Sequence, residues 1–168
     1  MVARKKRAKR KRTLSTPSSS SSSLVSLKPA SPSDFEFAFR LYCETMEEYS
    51  SAYIAWDESK QRASLADQWG KAEVSLITFE QVNVGWLAVQ ETAGSILLGH
   101  FYVEPRFQKR GVGSMILSRL LTTASGKGKS VELAVLKNNP ARRLYDRMEF
   151  TVTGEDRIKY YMRRPHGV

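Results

Sequence analysis

Residues 103–114, which read VEPRFQKRGVGS, decide the fold of this chain. An apolar run ends at the first of these residues and another begins after the last, so the pattern predicts a strand, a donor-rich loop and a helix. Gly111 and Gly113 allow backbone amides to approach a ligand closely, and the first turn of a helix directs unpaired N–H groups outward. Lys109 and Arg110 add two positive charges. The segment therefore predicts an anion-binding loop that suits a pyrophosphate, although it is neither a Walker loop nor a three-glycine dinucleotide motif.

The apolar periodicity outside this loop predicts a mixed α/β domain of the α+β kind, with a mostly antiparallel central sheet flanked by helices. The predicted helices span 34–50, 57–70, 113–123 and 140–148. The predicted strands span 73–79, 84–90, 95–103, 131–136, 150–155 and 158–163, with a further edge strand near 26–28. Turns at 81–83 and 92–94 join three strands into an antiparallel meander. Because a helix precedes the strand at 131–136, we expect that strand to run parallel to the one at 95–103.

The positive charge of the chain is concentrated at its N-terminus. Of the 27 Lys and Arg residues, eight lie between Arg4 and Arg12, and the other 19 nearly balance the 17 Asp and Glu residues. The serine run from Ser18 to Ser23 follows, and such a composition has too little apolar surface to offset the entropy of ordering. We therefore predict a disordered leader over residues 1–24 and one folded domain over 25–168. The functional interpretations of the leader are a polycation that binds nucleic acid, ribosomes or anionic lipid, and an address tag read by a receptor. Alternatively, it is a solvated tail or a start-site extension without a role.

The composition excludes several classes of protein. A single cysteine, Cys43, can form neither an internal disulfide nor a multi-cysteine metal site, and no His, Cys and carboxylate cluster has the spacing of metal ligands. The longest apolar runs fall far short of the roughly 20 residues that cross a bilayer. We therefore expect a cytoplasmic protein of one domain, without a bound metal and without a membrane span.

A second informative segment, residues 138–150, reads NNPARRLYDRMEF. Together with the glycine loop it resembles the GNAT superfamily of acyl-CoA-dependent N-acetyltransferases, over about residues 26–163. Gln108, Gly111 and Gly113 match the family pattern Gln/Arg-x-x-Gly-x-Gly/Ala, and the second segment is similar to the family element Asn-x-x-Ala-x-x-x-Tyr-x-x-x-Gly-Phe. The match departs from the family at Glu149, which stands where a glycine usually ends the helix and where a side chain is strained.

The resemblance implies a GNAT-type fold, splayed between the strands at 95–103 and 131–136, with acetyl-CoA as the donor. The donor pyrophosphate would lie on the backbone amides of the glycine loop, and the pantetheine would lie like an added strand beside the end of the strand at 95–103. The residues that the resemblance places against the donor are Tyr102, Val103, Gln108, Lys109, Arg110, Gly111, Val112, Gly113, Ser114, Asn138, Ala141 and Arg142.

The same resemblance implies roles for two titratable side chains. Tyr145 occupies the family position of the proton donor to the departing thiolate, and a phenol with an ordinary pKa of about 10 keeps its proton at neutral pH. His100 lies near the position where many members carry a base, and an imidazole can accept a proton at neutral pH. Alternatively, His100 is a hydrogen-bonded structural residue, or no base is needed because the amine arrives neutral. A backbone N–H near Val103 would bind the oxyanion.

The acceptor is expected to be a primary amine, of a small molecule or of a protein, which receives the acetyl group directly. The first two helices, the loop between them and the last hairpin are expected to select it. The candidate residues are Glu44, Glu47 and Glu48, which would attract a cation or form a solvated helix face, and Tyr53, Trp56 and Trp86, which would wall a pocket. Two other functions stay open: a non-catalytic CoA-binding sensor, and a nucleic-acid- or ribosome-associated protein that acts through its leader. A homodimer is also open.

Overall fold

A computed structural model describes residues 24–167 as one seven-stranded sheet with helices on both faces. The predicted leader, apart from Leu24, lies outside the described residues. The strands are β1 (Val25–Pro29), β2 (Glu73–Phe79), β3 (Val82–Glu91), β4 (Ser95–Val103), β5 (Ser130–Leu136), β6 (Thr151–Glu155) and β7 (Lys159–Arg164). The helices are α1 (Phe35–Ser51), α2 (Glu58–Trp69), α3 (Val112–Gly126) and α4 (Arg142–Arg147). Within residues 24–167, no helix is both long and apolar enough to cross a membrane.

The sheet has the strand order β1-β2-β3-β4-β5-β7-β6. Every neighbouring pair is antiparallel except β4 and β5, which are parallel. The predicted fold class, the meander and the parallel pair are therefore confirmed. Helix α3 makes the crossover between the two parallel strands, which is the connection that parallel strands require.

The starts of two elements differ from the prediction by two residues, and α3 ends at Gly126 and not at residue 123. The β2–β3 turn consists of Glu80 and Gln81, both with positive φ (49° and 67°), so β3 begins at Val82 and not at residue 84. Two-residue hairpin turns need positive φ because their twist must match that of the strands, and no glycine marked this turn. Helix α4 begins at Arg142 and not at Pro140. The N–H groups of residues 142 and 143 bond to carbonyls three residues earlier, so a tight turn precedes the helix.

The two faces of the sheet carry separate apolar clusters. Helix α3 packs on one face, where Ile116 and Leu117 are almost fully buried, and α4 contributes Tyr145 to the same cluster. Helices α1 and α2 cover the other face and bury Leu41 and Leu65. Trp86 lies in this second cluster with no exposed surface, and its indole N–H donates to the carbonyl of Ala38 at 3.0 Å. Trp86 is therefore a core residue and not a wall of an open pocket.

A bulge in β4 decides which side chains face which cluster. His100 pairs with Ala88 and Leu98 pairs with Val89, so Gly99 has no partner on β3. The extra residue shifts the alternation by one. In a regular strand, Leu98 and His100 would face the same side of the sheet. Because of the bulge, Leu98 faces the α3 cluster and His100 faces α1 and α2.

The same bulge lies where the parallel pair separates. The β4–β5 pairing runs from Ser95 opposite Ser130 to Leu98 opposite Leu133 and ends there. From His100 to Val103, β4 keeps its pairing with β3 on one side and has no β5 partner on the other. The splay expected from the resemblance is therefore present in the sheet.

The close approach of β3 to β4 gives a test of this architecture. A Cβ atom on Gly85 would collide with the carbonyl oxygen of Tyr102 and lie 3.1 Å from Cα of Val103. We expect Gly85→Ala to lower the free energy of unfolding by about 2 kcal/mol, because a backbone cannot move aside as a flexible side chain can. Urea unfolding followed by circular dichroism measures this change. Gly94→Ala is the matched control, since no atom lies within 4 Å of its added Cβ, and an equal loss in both variants would contradict the prediction.

Candidate active site at the separated strands

The predicted anion-binding loop joins the end of β4 to α3. A short 3-10 turn over Pro105–Phe107 leads from the strand, and Gly111 takes the left-handed conformation (φ 84°) at the helix N-cap. Gln108 is directed inward: its side-chain amide donates to the carbonyl of Val103 at 2.8 Å, and its own N–H bonds to Pro105. The Gln108 side chain therefore holds the loop against the end of β4, so it binds the protein itself and not the donor.

The remaining amides of the loop are free to bind a ligand. Among the described residues, no acceptor is bonded to the six backbone N–H groups from Lys109 to Ser114, and no side chain caps α3. The first three of these residues are exposed and the last three are buried or half-buried, so the N–H groups at the start of α3 are the ones that most need a partner. Six consecutive free donors at a helix N-terminus therefore form the anion cradle that the glycine pattern predicts. Lys109 also has positive φ (57°), which helps the chain to turn its amides to one side.

Basic side chains surround this cradle. The guanidinium of Arg110 lies over the rings of Phe79 and Phe107, at 5.5 and 5.4 Å from their centroids. Arg106 is paired with the buried carboxylate of Glu104 at 2.7 Å. The charge of Arg110 is therefore held in place by aromatic rings and is not neutralised by them, which leaves it available to an anion.

The predicted oxyanion donor faces the separated strands. The N–H of Glu104 donates to the carbonyl of Val84 on β3 at 2.8 Å. Because successive amides along a strand point in opposite directions, the N–H of Val103 points away from β3, to the side where β5 has separated. That side is where the resemblance places the thioester.

Tyr145 lies on α4 next to the gap between β4 and β5 beyond Leu98, which is called the opening below. Its side chain is buried (7% exposed), and its ring packs edge-on against Phe150 with centroids 5.8 Å apart. Burial raises the pKa of its phenol to about 12, so the hydroxyl keeps its proton at neutral pH. Within residues 24–167 no hydrogen-bond partner occupies this hydroxyl. It is near enough to Tyr102 for the two phenols to act on each other electrostatically.

The loop between β5 and α4 is held by two asparagines. Asn138 donates to the carbonyl of Tyr49 at the end of α1 (3.0 Å), so its side chain ties the loop to the helix. Asn139 accepts the N–H of Ala141 at 2.9 Å and shapes the turn before α4. Asn139 was not singled out from the sequence, because an asparagine before a proline is a common turn signal with no chemistry of its own.

The other predicted residues of the second segment have partners within the protein. Arg142 stacks over the ring of Tyr160 at 4.1 Å and lies 3.6 Å from a carboxylate oxygen of Asp146. Glu149 takes the left-handed conformation (φ 64°) that glycine has in the family pattern, and its carboxylate pairs with Arg164 at 2.8 Å. The departure from the family pattern is therefore accommodated as a single strained residue, at a cost of about 1 kcal/mol.

His100 is part of a hydrogen-bonded row that ends at the separated strands. Its Nε2 lies 2.9 Å from Oε1 of Gln68 on α2, and its Nδ1 lies 3.2 Å from the hydroxyl of Tyr102. The ring also stacks on Trp86, with centroids 5.2 Å apart. Burial, together with the charge of Lys159, lowers the pKa of His100 to about 4. With both ring nitrogens engaged and a low pKa, His100 has the environment of a neutral hydrogen-bonded residue, and its role as the base stays a prediction.

The glutamates of α1 lie apart from this opening. A groove of about 290 Å³ between α1 and α2 is lined in part by Glu44, Glu47 and Glu58. Arg40 pairs with Glu44 at 3.2 Å. On the inner side of α1, Tyr42 packs against Trp56, Tyr102 and His100 with ring centroids 5.6–6.1 Å apart. The aromatic residues of the first two helices therefore approach the opening, whereas the acidic groove faces outward.

Comparison with known proteins agrees with this geometry. The sequence model of the acetyltransferase (GNAT) domain matches residues 71–152, which contain β2–β5, the glycine loop and the Tyr145 segment. No curated protein sequence matches the chain. The matched segment is that of an acetyltransferase (GNAT) domain, and the sheet, its separation and the loop have the form of the GNAT fold.

Solved structures of low sequence identity share the fold. PaiA N-acetyltransferase from Thermoplasma acidophilum, solved with coenzyme A, has a TM-score of 0.67 at 14% identity, over 84% of this chain and 99% of that one. The ribosomal-protein-S18-alanine N-acetyltransferase from Escherichia coli has a TM-score of 0.64 at 17% identity, over 86% and 95%. Arabidopsis thaliana Naa50, in complex with a bisubstrate analogue, has a TM-score of 0.59 at 17% identity, over 84% and 98%.

The low pKa of His100 predicts a pH dependence of stability. Because the folded-state pKa (about 4) lies below the ordinary value of 6.5, the unfolded chain takes up the proton first as the pH falls. The stabilisation is complete above pH 6.5 and is lost between pH 6.5 and 4. We expect wild type to lose about 2 kcal/mol more than His100→Gln between pH 7 and pH 5, measured by urea unfolding. Equal losses in the two proteins would contradict the low pKa.

Proposed function

We propose that this protein is an N-acetyltransferase that moves an acetyl group from acetyl-CoA directly to a primary amine. The observation that carries the proposal is the set of six free amides from Lys109 to Ser114. These amides lie beside the edge of β4 that has no β5 partner and beside the buried phenol of Tyr145. The solved GNAT structures with coenzyme A and with a bisubstrate analogue support the choice of donor.

The donor matches the groups that the chain offers. The amides from Lys109 to Ser114 and the charge of Arg110 would hold the pyrophosphate. The edge of β4 from Gly99 to Val103 has backbone groups without a β5 partner. Apart from the Val103 carbonyl, which Gln108 occupies, these would pair with the amides of the pantetheine. When bound, acetyl-CoA supplies a thioester whose carbonyl carbon is open to attack.

Three groups of the chain act on the reacting atoms. The N–H of Val103 binds the carbonyl oxygen as it gains negative charge. Tyr145 gives its proton to the sulfur as the carbon–sulfur bond breaks. The amine attacks in its neutral form, after its ammonium has released one proton to water. It forms the new carbon–nitrogen bond and loses a second proton, which returns through water to the Tyr145 phenolate. Tyr145 thus regains the proton that it gave to the sulfur, and its side chain is again a neutral phenol.

The distribution of charge favours a cationic acceptor. Residues 34–69, which include α1 and α2, contain eight acidic and three basic residues, whereas the rest of residues 24–168 contains nine acidic and 16 basic residues. The donor is a polyanion and an amine is largely cationic in water, so each substrate is attracted to a different part of the domain. The basic leader lies outside the described residues, and its role as a polycation that binds nucleic acid or ribosomes stays a proposal.

The reaction is tested by thiol release from acetyl-CoA with a panel of small amines, basic peptides and protein N-termini. We expect turnover with at least one of them, and thermal stabilisation by acetyl-CoA before any amine is added. Stabilisation without turnover for every class of amine would favour a CoA-binding sensor. Absence of any stabilisation would contradict both functions.

The anion cradle can be tested separately from folding. Ser114 is the third residue of α3, where a carboxylate stabilises the helix dipole but repels a pyrophosphate. We expect Ser114→Glu to weaken acetyl-CoA binding by about tenfold or more, measured by calorimetry, without lowering the thermal stability of the free protein. Ser118→Glu, one turn further along α3 and exposed, is the control and should bind normally.

The proton donor is tested by removing one oxygen atom. We expect Tyr145→Phe to lower kcat by about 100-fold, which is the lower range for general acid catalysis, while acetyl-CoA binding is retained. Tyr160→Phe on β7 is the control, because it removes the same atom from a half-buried ring but leaves the ring stacked against Lys137 and Arg142. A Tyr145→Phe enzyme with unchanged kcat would show that the thiolate leaves without this proton.

A further inference from the structure

In the structure, the orientation of the Gln68 side-chain amide sets the direction of the hydrogen bonds that connect α2 with β4. The side-chain N–H of Gln68 donates to the hydroxyl of Ser64 at 3.2 Å, so the Oε1 atom of Gln68 is the acceptor for His100. Nε2 of His100 must then carry the proton, and a neutral imidazole has only one. Nδ1 is therefore an acceptor, and the hydroxyl of Tyr102 donates to it at 3.2 Å.

This direction determines what the phenol of Tyr102 presents to the opening. Its single proton is committed to His100, so its oxygen keeps lone pairs for another donor. Tyr102 is half-buried, faces α1 and lies beyond Leu98, where β4 has lost its β5 neighbour. Tyr42, which contacts the ring of Tyr102 with centroids 5.6 Å apart, donates its own proton to Gln61 at 2.6 Å and does not compete.

We propose that Oη of Tyr102 accepts an N–H of the acceptor amine, and that His100 and Gln68 are positioning residues that hold the phenol proton on the side of His100. The inference rests on the proposed function and names the group that orients the second substrate. Holding one N–H at Tyr102 turns the nitrogen lone pair towards the acyl carbon, which is the orientation that direct attack requires. The phenol keeps its proton throughout, so the proposal adds no proton transfer.

The proposal assigns His100 a different role from the predicted base. The titratable or charged groups that face it are Tyr42 from α1, Tyr102 from its own strand and Lys159 from β7, while α2 offers the uncharged Gln68. None of these groups supplies a negative charge that would hold a proton on the imidazole. These surroundings therefore keep the imidazole of His100 neutral. A neutral imidazole donates from Nε2 to Gln68 and accepts from Tyr102 at Nδ1.

Gln68→Glu tests the row by reversing it. A carboxylate at this position favours the protonated imidazole, whose Nδ1–H then donates to Tyr102 and turns the phenol proton towards the opening. We expect the KM for the amine to rise at least fivefold relative to wild type as the pH is lowered from 8 to 6, with the KM for acetyl-CoA unchanged. Ala66→Glu adds the same charge at another exposed position of α2 and should follow wild type. A Gln68→Glu enzyme with the wild-type pH profile would overturn the proposal.

A second measurement does not depend on turnover. The chain has two histidines, so ¹⁵N spectra of full-length His166→Gln contain the imidazole of His100 alone. We expect a neutral imidazole at pH 7 with the proton on Nε2, and a spectrum in which the proton is on Nδ1 would overturn the direction of the row.

Tyr102→Phe separates this inference from the proposed function. We expect the KM for the amine to rise at least fivefold. Acetyl-CoA should stabilise the variant as it does wild type, because the donor contacts proposed for this part of β4 are backbone groups, which the substitution keeps. Wild-type turnover with an unchanged amine KM in Tyr102→Phe would overturn this inference alone. Absence of acetyl-CoA binding in wild type would overturn the proposed function and this inference with it.

Discussion

The loss of pairing between β4 and β5 after Leu98 is the constraint on which the other features of the site depend. Backbone N–H and C=O groups inside a protein require partners, and a strand edge without a neighbour is an unmet requirement. The free amides of the glycine loop continue the same requirement beyond the strand end. Strand edge and loop together form one continuous set of donors and acceptors, which is suited to a long ligand with amides at one end and phosphates at the other.

The two faces of the sheet contribute different parts to this opening. The α3 and α4 face supplies the helix N-terminus and Tyr145, and the α1 and α2 face supplies the row that ends at Tyr102. The burial that raises the pKa of Tyr145 and lowers that of His100 has one physical effect, because in each case it favours the uncharged side chain. A neutral opening bordered by charged surfaces suits a reaction whose reactants must shed water before they meet.

The fold and the glycine loop could be predicted from the sequence because they depend on local patterns, namely apolar periodicity and glycine spacing. The Gly99 bulge could not, since only the pairing of β3 with β4 shows that one residue lacks a partner. The role of Gln68 is likewise invisible in the sequence, because it lies 32 residues from His100 and resembles any polar residue of an exposed helix. Trp86 was wrongly predicted to wall a pocket, because the sequence does not distinguish an aromatic residue that lines a pocket from one that packs in the core.

The one-sided attachment of β4 from His100 to Val103 has a consequence for the order of events. Under the proposed function, the donor supplies the neighbour that this half of the strand lacks, so the wall against which the second substrate rests is built partly from the first. An amine that arrives early finds Tyr102 but no completed wall. Under the proposed function, this architecture would favour binding of the donor first and of the amine second.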